Sequence, residues 1–108
     1  MIPYDVVYRD FPESPAVTSV IEKYIEKIEK FGKSQIVSCH VVVSAPHRHQ
    51  HKGKIYHIQI RMHVGKKDII VDHEREQDHS HEEITVAIRD AFSAAERQLR
   101  DYVDKNKH

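Results

Sequence analysis

From Ile55 to Val64 apolar and polar residues alternate almost without a fault. Tyr56, Ile58, Ile60, Met62 and Val64 fall on one side, and His57, Gln59, Arg61 and His63 on the other. A period of two is the pattern of a strand with one buried and one wet face. Such a strand cannot stand alone: it needs neighbours in a sheet and an apolar layer over its Ile, Met and Val side.

The rest of the chain supplies both. Ile2 to Arg9 alternates, with Ile2, Tyr4, Val6 and Tyr8 sharing a face and Asp5 and Arg9 pointing the other way. Ser34 to Ala45 reads as a second strand, with Val37, Cys39, Val41 and Val43 inward and His40 and Ser44 outward. Gly65, Lys66 and Lys67 make a short turn into a fourth strand, Asp68 to His73, built around Ile69, Ile70 and Val71. Two segments repeat at helical spacing instead. Ser14 is an N-cap and Pro15 suits the first helical position, ahead of a stripe of Val17, Val20, Ile21, Tyr24, Ile25, Ile28 and Phe31 that Gly32 should stop. Ser80 and Glu83 have capping-box spacing before Ile84, Ala87, Ile88, Ala91, Phe92, Ala95, Leu99 and Tyr102. The order β-α-β-β-β-α predicts an α+β two-layer sandwich, with two helices packed on one face of a four-stranded sheet and the other face open to solvent.

At 108 residues the chain reads as a single domain, 1–108, able to bury a core with little to spare. Lys plus Arg and Asp plus Glu number 17 each, so net charge points to no polyanionic partner and only the placement of charges can. Ten histidines make that balance sensitive to pH, turning the protein basic near pH 6. The lone Cys39 lies in an apolar run and reads as a buried thiol. With no basic-then-apolar leader and no membrane-length apolar run, the protein is expected to be cytoplasmic and off the membrane.

Five of the ten histidines fall in PHRHQHKGKIYHIQIRMHV, residues 46–64. Three readings stand side by side. They are imidazoles on the solvated half of a sheet and hairpin. They contact RNA, stacking on bases or meeting phosphate among Arg48, Lys52, Lys54 and Arg61, the most basic local region. Or His47, His49 and His51, at every second position, ligate a metal. For the metal, the sequence offers no HExxH, no paired cysteines and no obvious carboxylate between the histidines.

The first helix carries a second basic signal. Lys23, Lys27 and Lys30 fall within about 60° on one flank of its apolar stripe, and Glu22, Glu26 and Glu29 gather on the far side. A lysine ridge suits a phosphate backbone as well as it suits plain solvent. The last helix presents Arg89, Arg97 and Arg100 diluted by Asp90, Glu96, Asp101 and Asp104. Catalysis finds no phosphate loop or nucleophile elbow, and sequence neighbours such as Asp72 and His73 would point to opposite faces of a strand. The chain reads as a non-enzyme without a cofactor.

The element order, the run GKIYHIQIRM and above all VAIRDAFSAAERQLRDY resemble the ribosome hibernation-promoting factors, also called ribosome-associated inhibitors or sigma-54 modulation proteins. Val86-Ala87-Ile88-Arg89 stands where members typically show a YAAID-like start to the last helix, and Glu96 to Tyr102 stands where they show KLERQLRKY. The likeness covers essentially the whole chain. The family's tyrosine falls at Thr85, its aspartate at Arg89, and the lysine and leucine before ERQL at Ala94 and Ala95. The resemblance implies a non-catalytic binder of the small ribosomal subunit and its 16S rRNA. It would lie in the channel for mRNA and tRNA and block translation in stress or stationary phase. It implies the short, monomeric form, with no DNA partner. The rRNA contacts are then expected from Lys23, Lys27 and Lys30, from Arg89, Arg97 and Arg100, and from Arg48, Lys52, Lys54 and Arg61, where hairpin and sheet take over part of the last helix's share. The alternatives are a metal-binding module built on His47, His49 and His51, or a protein-interaction domain without RNA affinity.

Overall fold

A computed structural model describes residues 2–10, 12–32, 35–45, 56–74 and 84–105. Its elements are β1 (Tyr4–Arg9), α1 (Pro15–Gly32), β2 (Ile36–Ser44), β3 (His57–Val64), β4 (Lys67–Glu74) and α2 (Ile84–Lys105), in the anticipated order. The strands lie β1-β2-β3-β4 across one sheet. β2, β3 and β4 form an antiparallel meander, whereas β1 runs parallel to β2. A parallel neighbour needs a crossover, and α1 is that crossover.

The helices cover one face. Ile58, Ile60, Met62 and Val64 of β3 meet Cys39, Val41 and Val43 of β2, Ile69 and Val71 of β4, Ile21, Ile25 and Ile28 of α1, and Ala87, Ile88, Phe92 and Leu99 of α2 in a single buried cluster. Truncating a fully buried Ile or Leu in such a core costs about 2–5 kcal/mol.

Local chemistry explains the element ends. The Val17 amide donates to Ser14 Oγ at 3.3 Å, the N-cap bond foreseen from the sequence. The Tyr8 hydroxyl donates to the Ser14 carbonyl at 3.0 Å and lies 2.6 Å from Thr18 Oγ1, tying the start of α1 to β1. Asp10 takes a positive φ of 54° as the chain leaves β1, a conformation Asp tolerates better than most residues. Gly65 has φ of 57° in the tight β3–β4 turn, whose flanking residues Val64 and Lys67 pair. Glycine at the first central position is what a II′ hairpin needs.

Two sequence expectations change. Val37 was placed inward with Cys39, Val41 and Val43, yet it is 53% exposed and Ile36 is buried instead. Ile36 pairs with Val64 and Ser38 with His63, so two steps along β2 match one along β3. Val37 is the extra residue of a bulge, which reverses the alternation at that point. Gly32 does end α1, but its φ is not positive. A Cβ there would lie 2.7 Å from Leu99 Cδ2 and 3.2 Å from Ile36 Cδ1, so the glycine is required by close approach of α2 and β2. The Ser80–Glu83 capping box and the hairpin connection expected at 46–53 lie outside the described residues.

Candidate nucleic-acid interface

The helix layer brings the predicted helical cations together. Tyr24 of α1 stacks on Phe92 of α2 with ring centroids 5.5 Å apart, and one helical stretch later Gly32 abuts Leu99. The two helices therefore run side by side in the same direction. Between them is a crevice lined by Tyr24, Lys27, Ile28, Phe92, Ser93 and Glu96. Lys27 thus sits against α2, and Lys23 and Lys30, within about 60° of it on the wheel, share that flank. The glutamate flank turns the other way, since the Tyr4 hydroxyl on β1 donates to Glu22. That carboxylate raises the pKa of the tyrosine.

On α2, steps of 100° per residue put Arg89 and Arg100 on the same flank as Ser93 and Glu96, with Arg97 just beyond. All six cations are exposed. Arg89 reaches Asp90 at 3.2 Å and Arg100 reaches Glu96 at 3.7 Å. Such solvent-exposed pairs are weak and easily exchanged for a phosphate. Lys23, Lys27, Lys30 and Arg97 form no ion pair among the described residues. Six cations thus stand on the exposed sides of the two helices, and Lys27 lines the crevice itself.

The sheet's open face holds a different pattern. Each of its histidines meets an aspartate on a neighbouring strand: His40 on β2 with Asp5 on β1, His57 on β3 with Asp72 on β4, and His63 on β3 with Asp68 on β4, the last at 2.8 Å. No obvious carboxylate lies between the histidines in the sequence; these three meet theirs across the sheet, because register sets His40 beside Asp5 and His63 beside Asp68, and His57 on the diagonal to Asp72. The hydrogen bond from His57 holds the Asp72 carboxyl below its ordinary pKa. Asp72 and His73 do point to opposite faces: Asp72 is exposed and His73 buries its Nε2 without a partner.

At the centre of that face is a shallow depression of about 400 Å³, lined by Arg9, His40, Val42, Gln59, Arg61 and Ile70. Arg61, a predicted contact residue, is here; Arg9 was seen to point outward but was not among the candidates. Neither arginine forms an ion pair among the described residues. Their shared position depends on β1 pairing with β2, which no local pattern announces.

Arg48, Lys52, Lys54, His47, His49 and His51 lie outside the described residues. Among the described residues no group of three or more His, Cys, Asp or Glu side chains is placed to hold a metal ion. Cys39 is buried, and burial followed by the charge of Asp5 pushes its thiol up to about 12. No helix among the described residues is long and apolar enough to cross a membrane.

Comparison with known proteins agrees with this architecture. The Thermus thermophilus Protein Y N-terminal domain superposes with a TM-score of 0.71 at 17% identity, covering 94% of this chain and 99% of that one. A ribosomal subunit interface protein from Coxiella burnetii superposes with a TM-score of 0.72 at 15% identity, covering 94% and 97%. At these identities the likeness shows the fold. No curated protein sequence matches the chain. The family described as sigma 54 modulation protein / S30EA ribosomal protein matches residues 4–107, nearly the whole sequence. The chain therefore belongs to that family of ribosome-associated modulation factors.

Proposed function

We propose that this chain is a translation inhibitor that binds the small ribosomal subunit in the channel for mRNA and tRNA and blocks it sterically. The observation that carries this reading is the pair of parallel helices whose exposed sides hold Lys23, Lys27, Lys30, Arg89, Arg97 and Arg100, with Lys27 in the crevice between them. Parallel helices with cations on both sides of a shallow groove suit a phosphate backbone, which the two rows straddle. The names of the structural relatives, one of them a ribosomal subunit interface protein, point the same way. Arg61 lies on the opposite side of the sandwich. With Arg48, Lys52 and Lys54 of the hairpin it adds a second set of 16S rRNA contacts. No step of this action needs covalent chemistry or a cofactor. The protein acts as a monomer in the cytoplasm, where its target resides.

Co-sedimentation with purified small subunits at low and high salt tests the proposal. Affinity made by several phosphate contacts falls steeply with salt. Pelleting at 50 mM salt that is lost by 300 mM is the expected result. Absence of pelleting at every salt concentration overturns the reading.

A further inference from the structure

We propose that the open face of the sheet is a second RNA-contact surface, for a single-stranded segment, whose grip tightens as His40, His57 and His63 take up protons. This rests on the reading of the chain as an RNA binder, but uses a surface on the other side of the sandwich from the helical crevice.

Three observations carry it. The depression of about 400 Å³ has apolar ground in exposed Ile70 and half-buried Val42, with Arg9, Arg61 and His40 around it and Gln59 between. Guanidinium and imidazole planes over an apolar floor suit unstacked bases, and Gln59 offers an amide to a base edge. Next, the carboxylates Asp5, Asp68 and Asp72 are each engaged by a histidine, while Arg9 and Arg61 have no ion pair among the described residues. The two strong cations are thus left for an anionic visitor. The Asp5, Asp68 and Asp72 carboxylates would otherwise repel it.

The third observation is the charge balance. With the imidazoles neutral, Arg9 and Arg61 against Asp5, Asp68 and Asp72 leave the described side chains of the face with one net negative charge. With all three protonated they carry two net positive charges. Among the described residues the groups facing each histidine are few. His40 has Asp5 on one side and Arg61 on the other; His57 has Ser44, Asp72 and the Glu74 position; His63 has Ser38 and Asp68. Among the described residues no helix packs on this side. Protonation of the three imidazoles therefore reverses the sign of the face, from one that repels RNA at its margins to one that attracts it.

The test is binding of a fluorescein-labelled oligouridylate 12-mer to the full chain, titrated with salt at pH 7.5 and pH 5.8. Each phosphate contact on a single strand adds about 0.7 to the log–log salt slope. Acidification should therefore steepen the slope by up to about 2 for the natural sequence. The variant His40→Gln with His57→Gln and His63→Gln should lose most of that steepening, although the other seven histidines remain. Arg9→Gln with Arg61→Gln should flatten the slope by about 1.4 at both pH values. Circular dichroism checks that each variant folds. An unchanged pH response in the histidine variant, or an unchanged slope in the arginine variant, overturns the inference. If small subunits still pellet with the natural protein in that case, the ribosome reading stands without it. If the oligonucleotide results hold but subunits never pellet, the ribosome reading is the one that fails.

Discussion

Replacing Lys23, Lys27 and Lys30 together by glutamine is the sharpest test of the helical crevice. The three lysines are half of the six candidate cations on the two helices and form no ion pair among the described residues. If each of the six meets one phosphate, the slope of log affinity against log salt is about −5.4, and the triple variant brings it to about −2.7. Between 50 and 200 mM salt, the natural protein should then lose about 2,000-fold in affinity and the variant only about 40-fold. Stability should hardly move. The side chains are exposed, glutamine is as good a helix former as lysine, and the like-charge pair Lys23–Lys27 is relieved. The change in unfolding free energy should stay within about 0.5 kcal/mol. The assay is co-sedimentation with small subunits across that salt range, with Glu26→Gln as a control from the opposite flank. An unchanged slope in the triple variant refutes the assignment of the crevice, because no other explanation keeps the phosphate contacts while removing their charges.

Three further outcomes follow from the packing. Cys39 is buried with its thiol pushed up to about 12, so Ellman's reagent should label it only as fast as the protein unfolds; rapid labelling of folded protein would contradict the burial. Gly65→Ala forces a side chain into φ of 57° and against the Tyr102 hydroxyl. It should cost about 1–2 kcal/mol in urea unfolding, and an unchanged midpoint would refute the turn geometry. The Asp72 carboxyl titrates below its ordinary value because His57 donates to it. Its ionised form therefore stabilises the fold above the unfolded carboxyl pKa near 4, and the contribution fades as pH falls through the folded value. The stability gap between the natural protein and Asp72→Asn should be measurable at pH 6 and close toward pH 2; a gap constant across that range would sink the pairing.

Periodicity made most of the fold legible. The alternation of β3 and the two helical stripes name the buried residues almost one for one, because burial of one face is what writes those periods. Ser14 as a cap was legible for the same kind of reason, a local bond made by a local residue. The failures are non-local. The bulge at Val37 obeys pairing with β3, and the need for Gly32 comes from Leu99, far along the chain. The same limit applies to the candidate interface. Each cation was visible as an outward residue, but the crevice shared by Lys27 and Glu96 required helix packing, and the His–Asp pairs required strand register. Charged residues on a solvated face leave no hydrophobic period by which a partner could be read.

The balance of 17 basic and 17 acidic residues at first argues against a polyanion as partner. Placement removes the objection. On α1 the acidic flank carries Glu22, which is held by Tyr4 beside β1, so the opposite flank is left to lysine alone. On α2 two of the acids, Asp90 and Glu96, touch Arg89 and Arg100 through exposed, exchangeable contacts. On the open sheet the aspartates are engaged by histidines, which can gain a charge where arginines and lysines cannot. Six of the 17 acidic residues are thus tied to a local partner, while Lys23, Lys27, Lys30, Arg97, Arg9 and Arg61 are not tied among the described residues. A protein arranged this way stays electrically neutral at long range and presents cations only at contact distance. Its association with RNA should be specific to surfaces that reach both banks of the crevice, and weak toward polyanions that cannot.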